Sequence, residues 1–132
     1  MKLKNIKISN YRCFKEAEID FDDHITLVVG KNGAGKTAIL DAVAVSVSTF
    51  LLGIDGGISR SILKDDARYE FHDLNGTIDP QHQFPVIIES TGDCLEQKNV
   101  KWIRSLNSES GKTTIKDAGE LTGLAKKAQN QI

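Results

Sequence analysis

A chain of 132 residues, 39% hydrophobic and 27% charged, has enough apolar material for one domain with a real core and too little length for two. With 17 Lys and Arg against 18 Asp and Glu, its net charge of -1 excludes a general attraction to nucleic acid, so any DNA contact must come from a local patch or from other parts of an assembly. Cys13 and Cys94 make neither a disulfide framework nor a ligand cluster, which points to a reducing cytoplasm; no signal-peptide core is present, and no run approaches the ~20 apolar residues of a membrane span.

Over residues 2–9, Leu3, Ile6 and Ile8 alternate imperfectly with Lys2, Lys4 and Lys7, which predicts a strand with a bulge near Asn5. After Asn10-Tyr11-Arg12-Cys13-Phe14, the apolar Ala17, Ile19 and Phe21 alternate with Glu18 and Asp20, a second strand solvated on one face. The two strands predict a hairpin, and Asp22-Asp23-His24 a turn. Next, Ile25-Thr26-Leu27-Val28-Val29 reads as a buried strand and runs into Gly30-Lys31-Asn32-Gly33-Ala34-Gly35-Lys36-Thr37, which fits the pattern G-x-x-x-x-G-K-[ST]. Ala38-Ile39-Leu40-Asp41-Ala42-Val43 then opens a helix.

Strand, glycine loop and helix in that order make a site for a triphosphate, whereas a glycine turn followed by a chance Lys-Thr would carry no chemistry. Several donors must reach the phosphate oxygens at once, and backbone N–H groups can do so where Gly33 and Gly35 let the chain come close. The helix adds its unpaired N–H groups and positive dipole end. The candidate nucleotide-binding residues are therefore Gly30, Lys31, Asn32, Gly33, Ala34, Gly35, Lys36, Thr37 and Ala38. Lys36, the candidate catalytic residue, is placed to reach the β and γ phosphates of ATP, and the Thr37 hydroxyl is the candidate ligand for Mg2+.

Along the helix, Ile39, Val43, Val47 and Phe50 or Leu51 recur at steps of three and four, widened by Ala42, Ala44 and Val45, up to Gly53. A short helix is expected within 59–67 around Ile62 and Leu63, and turn-rich surface loop from Asp73 to Gln83, with His72 and His82 solvated. Pro85 to Glu89 reads as a strand. Its closing acid invites comparison with the magnesium-positioning carboxylate of P-loop enzymes, but a plain strand with a solvated end is preferred. Glu96 to Asn99 reads as polar loop, and Val100, Trp102 and Ile103 as a strand reaching about Leu106. Ser110-Gly111-Lys112-Thr113 copies half of the phosphate motif without its first glycine or its leading strand, and reads as a connecting turn. Asp117 caps a last helix whose Ala118, Leu121, Leu124, Ala125 and Ala128 share one apolar face.

The order of features over residues 1–45, with Asn-Gly inside the loop and Leu40-Asp41-Ala42 after it, resembles the amino-terminal end of the ABC-class, AAA-type ATPases related to SMC, RecF and the OLD nucleases. Asp65-Asp66-Ala67-Arg68, Phe84-Pro85-Val86 and Trp102-Ile103-Arg104 are similar, more loosely, to ATPases of bacterial anti-phage systems of the Septu and retron-associated kinds. The resemblance implies an α/β P-loop NTPase fold, the first lobe of an ABC/SMC-like head. Its parts would be a mixed sheet with the hairpin and P-loop strand in 1–29, the P-loop and its helix in 30–53, a loop region in 54–83, and strands with a terminal helix in 84–132. It also implies that Arg12 touches the ribose or phosphate, the alternative being an arginine that covers a strand pair; Tyr11 would border the adenine or, as preferred, lie buried in the hairpin, and Cys13 would be inert packing. In such families a carboxyl-terminal lobe supplies a Ser-Gly-Gly-type signature, an Asp-Glu strand end and a switch histidine, none of which occurs in this sequence. The expectation is thus an ATP·Mg2+-binding lobe that hydrolyses ATP only with the missing lobe and a second head, works on nucleic acid only through the complete assembly, and is inactive alone. Two other readings are a non-catalytic module that pairs with a full-length relative and a small P-loop kinase, the latter without an evident set of acceptor-binding residues.

Overall fold

A computed structural model describes residues 1–21 and 34–130. The expected strand over 25–29 and the loop residues Gly30, Lys31, Asn32 and Gly33 lie outside the described residues. Strands β1 (Lys2–Tyr11) and β2 (Phe14–Asp20) form the expected antiparallel hairpin, in register from Asn5↔Asp20 to Tyr11↔Phe14. Helix α1 (Ala34–Ser48) runs into a 3₁₀ turn, Thr49–Gly53, and a second 3₁₀ turn, Lys64–Asp66, stands where a short helix was expected. Then come β3 (Tyr69–Leu74), β4 (Thr77–His82), β5 (Val86–Cys94), β6 (Gln97–Leu106) and α2 (Gly119–Asn130). Sheet order is β2-β1-β5-β6, antiparallel throughout its described residues, and β3–β4 stand apart as a two-stranded sheet. The pairing of β1 with β5 shifts between Leu3 and Asn5, so the bulge falls where the broken alternation put it.

Alternation along β1 and β5 puts Ile6, Ile8, Val86 and Ile88 on the sheet face that α1 covers, where they pack with Ala38, Ala42 and Val45. The helix face differs in part from the one expected. Ala42 and Val45 are buried as expected and Val43 packs against the core, but Ala38 joins the buried line and Val47 is exposed, as is Leu40. Small side chains let the helix lie close to the sheet, and polar groups tie it down: Trp102 Nε1–H donates to the Ser46 carbonyl at 2.9 Å, and the Ser46 and Ser90 hydroxyls share a buried hydrogen bond. The segment Gly35–Gly53 is, by length and composition, apolar enough to cross a membrane, contrary to the sequence reading, but in this fold it is the helix that closes the sheet core.

Four further expectations are corrected. Residues 69–82, expected as loop, are a hairpin turned by Asn75-Gly76, both with positive φ (55° and 83°), the geometry that joins two strands through two residues. His82 is half-buried, its Nδ1–H donating to the Ala67 carbonyl at 3.0 Å, whereas His72 is exposed as expected. Gln97–Asn99 belong to β6, and β5 runs past Glu89 to Cys94, so Glu89 sits mid-strand beside Lys7 and Ile103 rather than at a strand end.

A second core gathers Cys94, Val100, Trp102, Ala118 and Leu121, with Leu3, Phe50 and Leu124 against it, and burial pushes the Cys94 thiol pKa up. The expected face of the last helix holds: Leu121 and Ala125 of α2 are buried, as is Ala118 in the 3₁₀ turn just before it. The 3₁₀ turn after α1 packs onto this helix so tightly that a Cβ on Gly53 would overlap the Thr122 carbonyl and come 2.8 Å from the Ala125 Cβ. Gly53→Ala is therefore expected to force the turn and α2 apart and cost about 1–3 kcal/mol in urea unfolding; an unchanged midpoint would show that this contact is dispensable.

Candidate functional site: the hairpin turn against the first turn of α1

The two-residue connection Arg12-Cys13 between β1 and β2 lies against the start of α1. A methyl group on Gly35 would be 3.6 Å from Phe14 Cζ and 3.9 Å from Cys13 Sγ, so the tip of the hairpin touches the turn that carries Gly35, Lys36 and Thr37. Lys36 is half-buried and Thr37 exposed. No acidic residue stands in the first turn of α1, so nothing there opposes an anion at its positive end. Ala38 is fully buried one residue further on, which fixes the helix start to the sheet.

Arg12 and the preceding Asn10 both have φ of 52°, a left-handed backbone that side-chain-bearing residues adopt at a cost. The surrounding chain holds them there: Arg12 N–H donates to the Asp66 carbonyl at 2.6 Å, Arg68 N–H to the Asn10 carbonyl at 2.9 Å, and Tyr11 makes a β-bridge with Ala67. With the backbone so placed, the Arg12 guanidinium meets two carboxylates, Asp41 on α1 (Nη1 to Oδ2, 2.5 Å) and Asp66 (Nε to Oδ1, 3.0 Å). The second Asp41 oxygen accepts from Arg60 Nη1 at 2.8 Å, and the second Asp66 oxygen from Leu63 N–H at 2.9 Å.

The pair of arginines holds the Asp41 carboxyl below the usual carboxylate range, first through the hydrogen bond from Arg60 and then, against the opposing effect of burial, through that from Arg12. For Arg12, burial favours the neutral form, but the bonds to Asp41 and Asp66 outweigh it and the pKa rises. Beneath the guanidinium, 5.3 Å away, lies the ring of Tyr11, which is fully buried as preferred from the sequence. Its hydroxyl has no hydrogen-bond partner among the described residues, and burial first, then the Asp66 carboxylate, push its pKa up to about 12. Cys13, expected as packing, is exposed instead.

Beside this network opens a cavity of about 530 Å³, lined by Arg12 and Cys13 on one side and by Ala67, Arg68, Tyr69 and Phe71 on the other. The reading of 54–83 as a loop region hid these aromatic walls, and Asp41, Asp66 and Arg60 were not singled out as site residues. A signal did exist, since Asp41 is the acid of Leu40-Asp41-Ala42 and Asp66 that of Asp65-Asp66-Ala67-Arg68.

The family model of the AAA domain, AAA_23, matches residues 5–132. The chain belongs to that family. A stretch of 44 residues, 33% of this chain, is 46% identical to the DNA double-strand break repair Rad50 ATPase of Archaeoglobus fulgidus and covers 5% of that protein. Another of 43 residues is 51% identical to the DNA replication and repair protein RecF of Flavobacterium johnsoniae, covering 12% of it, and one of 69 residues is 39% identical to RecF of Chlorobium phaeobacteroides, covering 18%. The matched stretches thus span a small part of these relatives. A solved structure from a study of ATP-driven dimerization and DNA-stimulated activation of SMC ATPases superposes with a TM-score of 0.58 over 95% of this chain and 80% of its own, at 18% identity. The fold is that of an SMC-like, ABC-class P-loop ATPase lobe.

Because Asp41 is held ionised by its partners, its contribution to stability is complete above the ordinary carboxylate pKa of about 3.9 and is lost as pH falls through its lower folded value. Asp41→Asn should cost about 1–2 kcal/mol at neutral pH and flatten the acid limb of a stability–pH curve measured by urea unfolding; equal curves for the two proteins would mean the network carries no stability.

Proposed function

We propose that this chain binds ATP·Mg2+ as the amino-terminal lobe of a head ATPase of the SMC, Rad50 and RecF kind, and that the complete protein couples nucleotide turnover to a DNA transaction. The observation that carries this reading is the seating of the β1–β2 turn on the first turn of α1, which sets Gly35, Lys36 and Thr37 beside the Arg12 network. The residues fit the ligand. A 15-residue helix free of acids in its first turn presents its positive end, Lys36 supplies a mobile cation for the β and γ phosphates, and the cavity beside Cys13 offers Tyr69 and Phe71 to the base.

Among the described residues no group of three His, Cys, Asp or Glu side chains could hold a metal alone. Mg2+ would take the Thr37 hydroxyl and complete its shell with phosphate oxygens and water. Bound there, the ion would neutralise charge on the phosphoryl oxygens. Arg12, with Asp41 and Asp66 already on it, acts in this reading as the residue that fixes the hairpin tip rather than as a strong phosphate ligand.

Hydrolysis in this reading needs a carboxyl-terminal lobe and a facing head, whose signature segment clamps the γ-phosphate. Single parts of phosphoryl-transfer sites contribute factors of about 10³–10⁵, so these 132 residues alone should turn over ATP slowly at most. The likeness of Asp65-Asp66-Ala67-Arg68 and Trp102-Ile103-Arg104 to anti-phage ATPases supports phage defence as the setting of the complete protein.

Titration of the purified chain with fluorescent ATP tests the binding step. Lys36→Ala is expected to weaken binding by about tenfold or more with unchanged urea unfolding, because the side chain lies outside the core clusters. Equal affinity of the two proteins would overturn the proposal.

A further inference from the structure

Away from the nucleotide site, Arg104 on β6 is 2% exposed, yet no carboxylate among the described residues pairs with it. Its Nε–H donates to the Thr114 carbonyl at 2.7 Å, and its Nη1–H groups to the hydroxyls of Thr49 at 3.1 Å and Ser59 at 3.2 Å. Burial without a counter-charge lowers its pKa from the usual arginine value. A guanidinium has five N–H donors in a planar fork, and the Nη2 pair finds no protein acceptor among the described residues.

Arg104 also lines an open cavity of about 540 Å³. Ser59 and Thr113 stand in the same wall, and Thr113 belongs to the Ser110-Gly111-Lys112-Thr113 turn, which the ATP site leaves unused. Its hydroxyl accepts from Ile62 N–H at 2.9 Å and donates to the Ile62 carbonyl at 3.1 Å, fixing that turn to the 59–63 segment across the cavity. Around the mouth stand Lys112 and the ion pair Lys64–Glu109, so with Arg104 the lining carries three cations against one anion. Apart from Ser61 and two glycines, the remaining walls are aliphatic. Ile58, Leu63 and Ile115 line the cavity while 83%, 62% and 60% exposed, and no aromatic ring stands among the lining residues.

We propose that this cavity binds a carboxylate carried on an aliphatic stem, the carboxylate on Arg104 and the stem against Ile58, Leu63 and Ile115. The buried cation selects an anion, since a charge-assisted, two-pronged bond satisfies the guanidinium best. Aliphatic walls select its body: a phosphodiester backbone would bury no apolar surface there, and a base would find no ring on which to stack. The ligand is either a free medium-chain acid or the aliphatic carboxyl terminus of a peptide. This inference does not rest on the ATP reading.

The test follows backbone amide shifts of the full 132-residue chain by NMR during titration with sodium octanoate, with 1-octanol, with a short peptide ending in leucine as the free acid or as the amide, with inorganic phosphate and with a single-stranded DNA oligonucleotide. Saturable shifts at Ser59, Arg104 and Thr113 with octanoate or with the free-acid peptide, about tenfold or more weaker with the alcohol or the amide, are expected; which of the two acids binds identifies the source. Arg104→Gln should abolish them. Because that change touches a buried group, Leu63→Glu, which sets a competing carboxylate on an exposed wall, should do the same in a chain with unaltered unfolding. No shifts with either acid, equal shifts with acid and alcohol, or shifts at these residues with phosphate or DNA alone would each overturn the proposal.

Discussion

The tie between Arg12 and Asp41 is the constraint on which the arrangement of the site depends. It joins the tip of the β1–β2 hairpin to the second turn of the helix that carries Lys36 and Thr37. Without it the tip would have to hold two left-handed residues, Asn10 and Arg12, on backbone bonds to 66–68, the Arg12–Asp66 ion pair and the Asn10 side-chain bond to the Pro85 carbonyl. Strain of that kind persists only where surrounding contacts over-determine it, and here three do: the Asp66 carbonyl, the Asp66 carboxylate and the Asp41 carboxylate all converge on Arg12. Arg60 completes the group by taking the other oxygen of Asp41, so the chain after α1 is drawn to the same point. Cross-links between segments distant in sequence make the hairpin, the helix start and the 60–66 segment behave as one piece.

The same logic of close approach runs along α1. A helix lined with alanines, Ala38 and Ala42, can lie nearer the sheet than one lined with isoleucine and valine. The short distance then lets Ser46 reach both Ser90 on β5 and Trp102 on β6. Buried polar groups are acceptable there because each is partnered. Val47, expected on this face, is exposed in the described lobe, as is Leu40.

How much of this could be read from the sequence depends on whether the signal was local. The hairpin, its bulge, the strand at Val86 and the face of α2 are written in alternation or in helical spacing, and they stand where expected. For α1 periodicity could not decide, because the helix is apolar nearly all round and both of its possible faces fit; packing distance chose the smaller side chains. The β3–β4 hairpin was misread from its composition. Asp, Asn and Pro in 73–80 suggested loop, while the Asn75-Gly76 pair was in fact a two-residue hairpin turn, and Pro80 is tolerated because a two-stranded sheet has only edges. The Arg12 network was beyond reach for a different reason: Asp41, Arg60 and Asp66 are 29 to 54 positions from Arg12, and only folding brings them together.

That network also bears on what the lobe can do with a polyphosphate. A guanidinium already bonded to two carboxylates has little charge left to offer a third anion. Among the described residues Lys36, at the start of α1, has no carboxylate partner, whereas Arg12 has two. Any nucleotide group that drew Arg12 toward itself would have to loosen Asp41 from it, and Asp41 would then lean on Arg60 alone. Arg60 is the neighbour in sequence of Ser59, whose hydroxyl accepts from Arg104 at 3.2 Å. The pairing of charges around Arg12 is therefore what ties the hairpin tip to α1 and to the 60–66 segment.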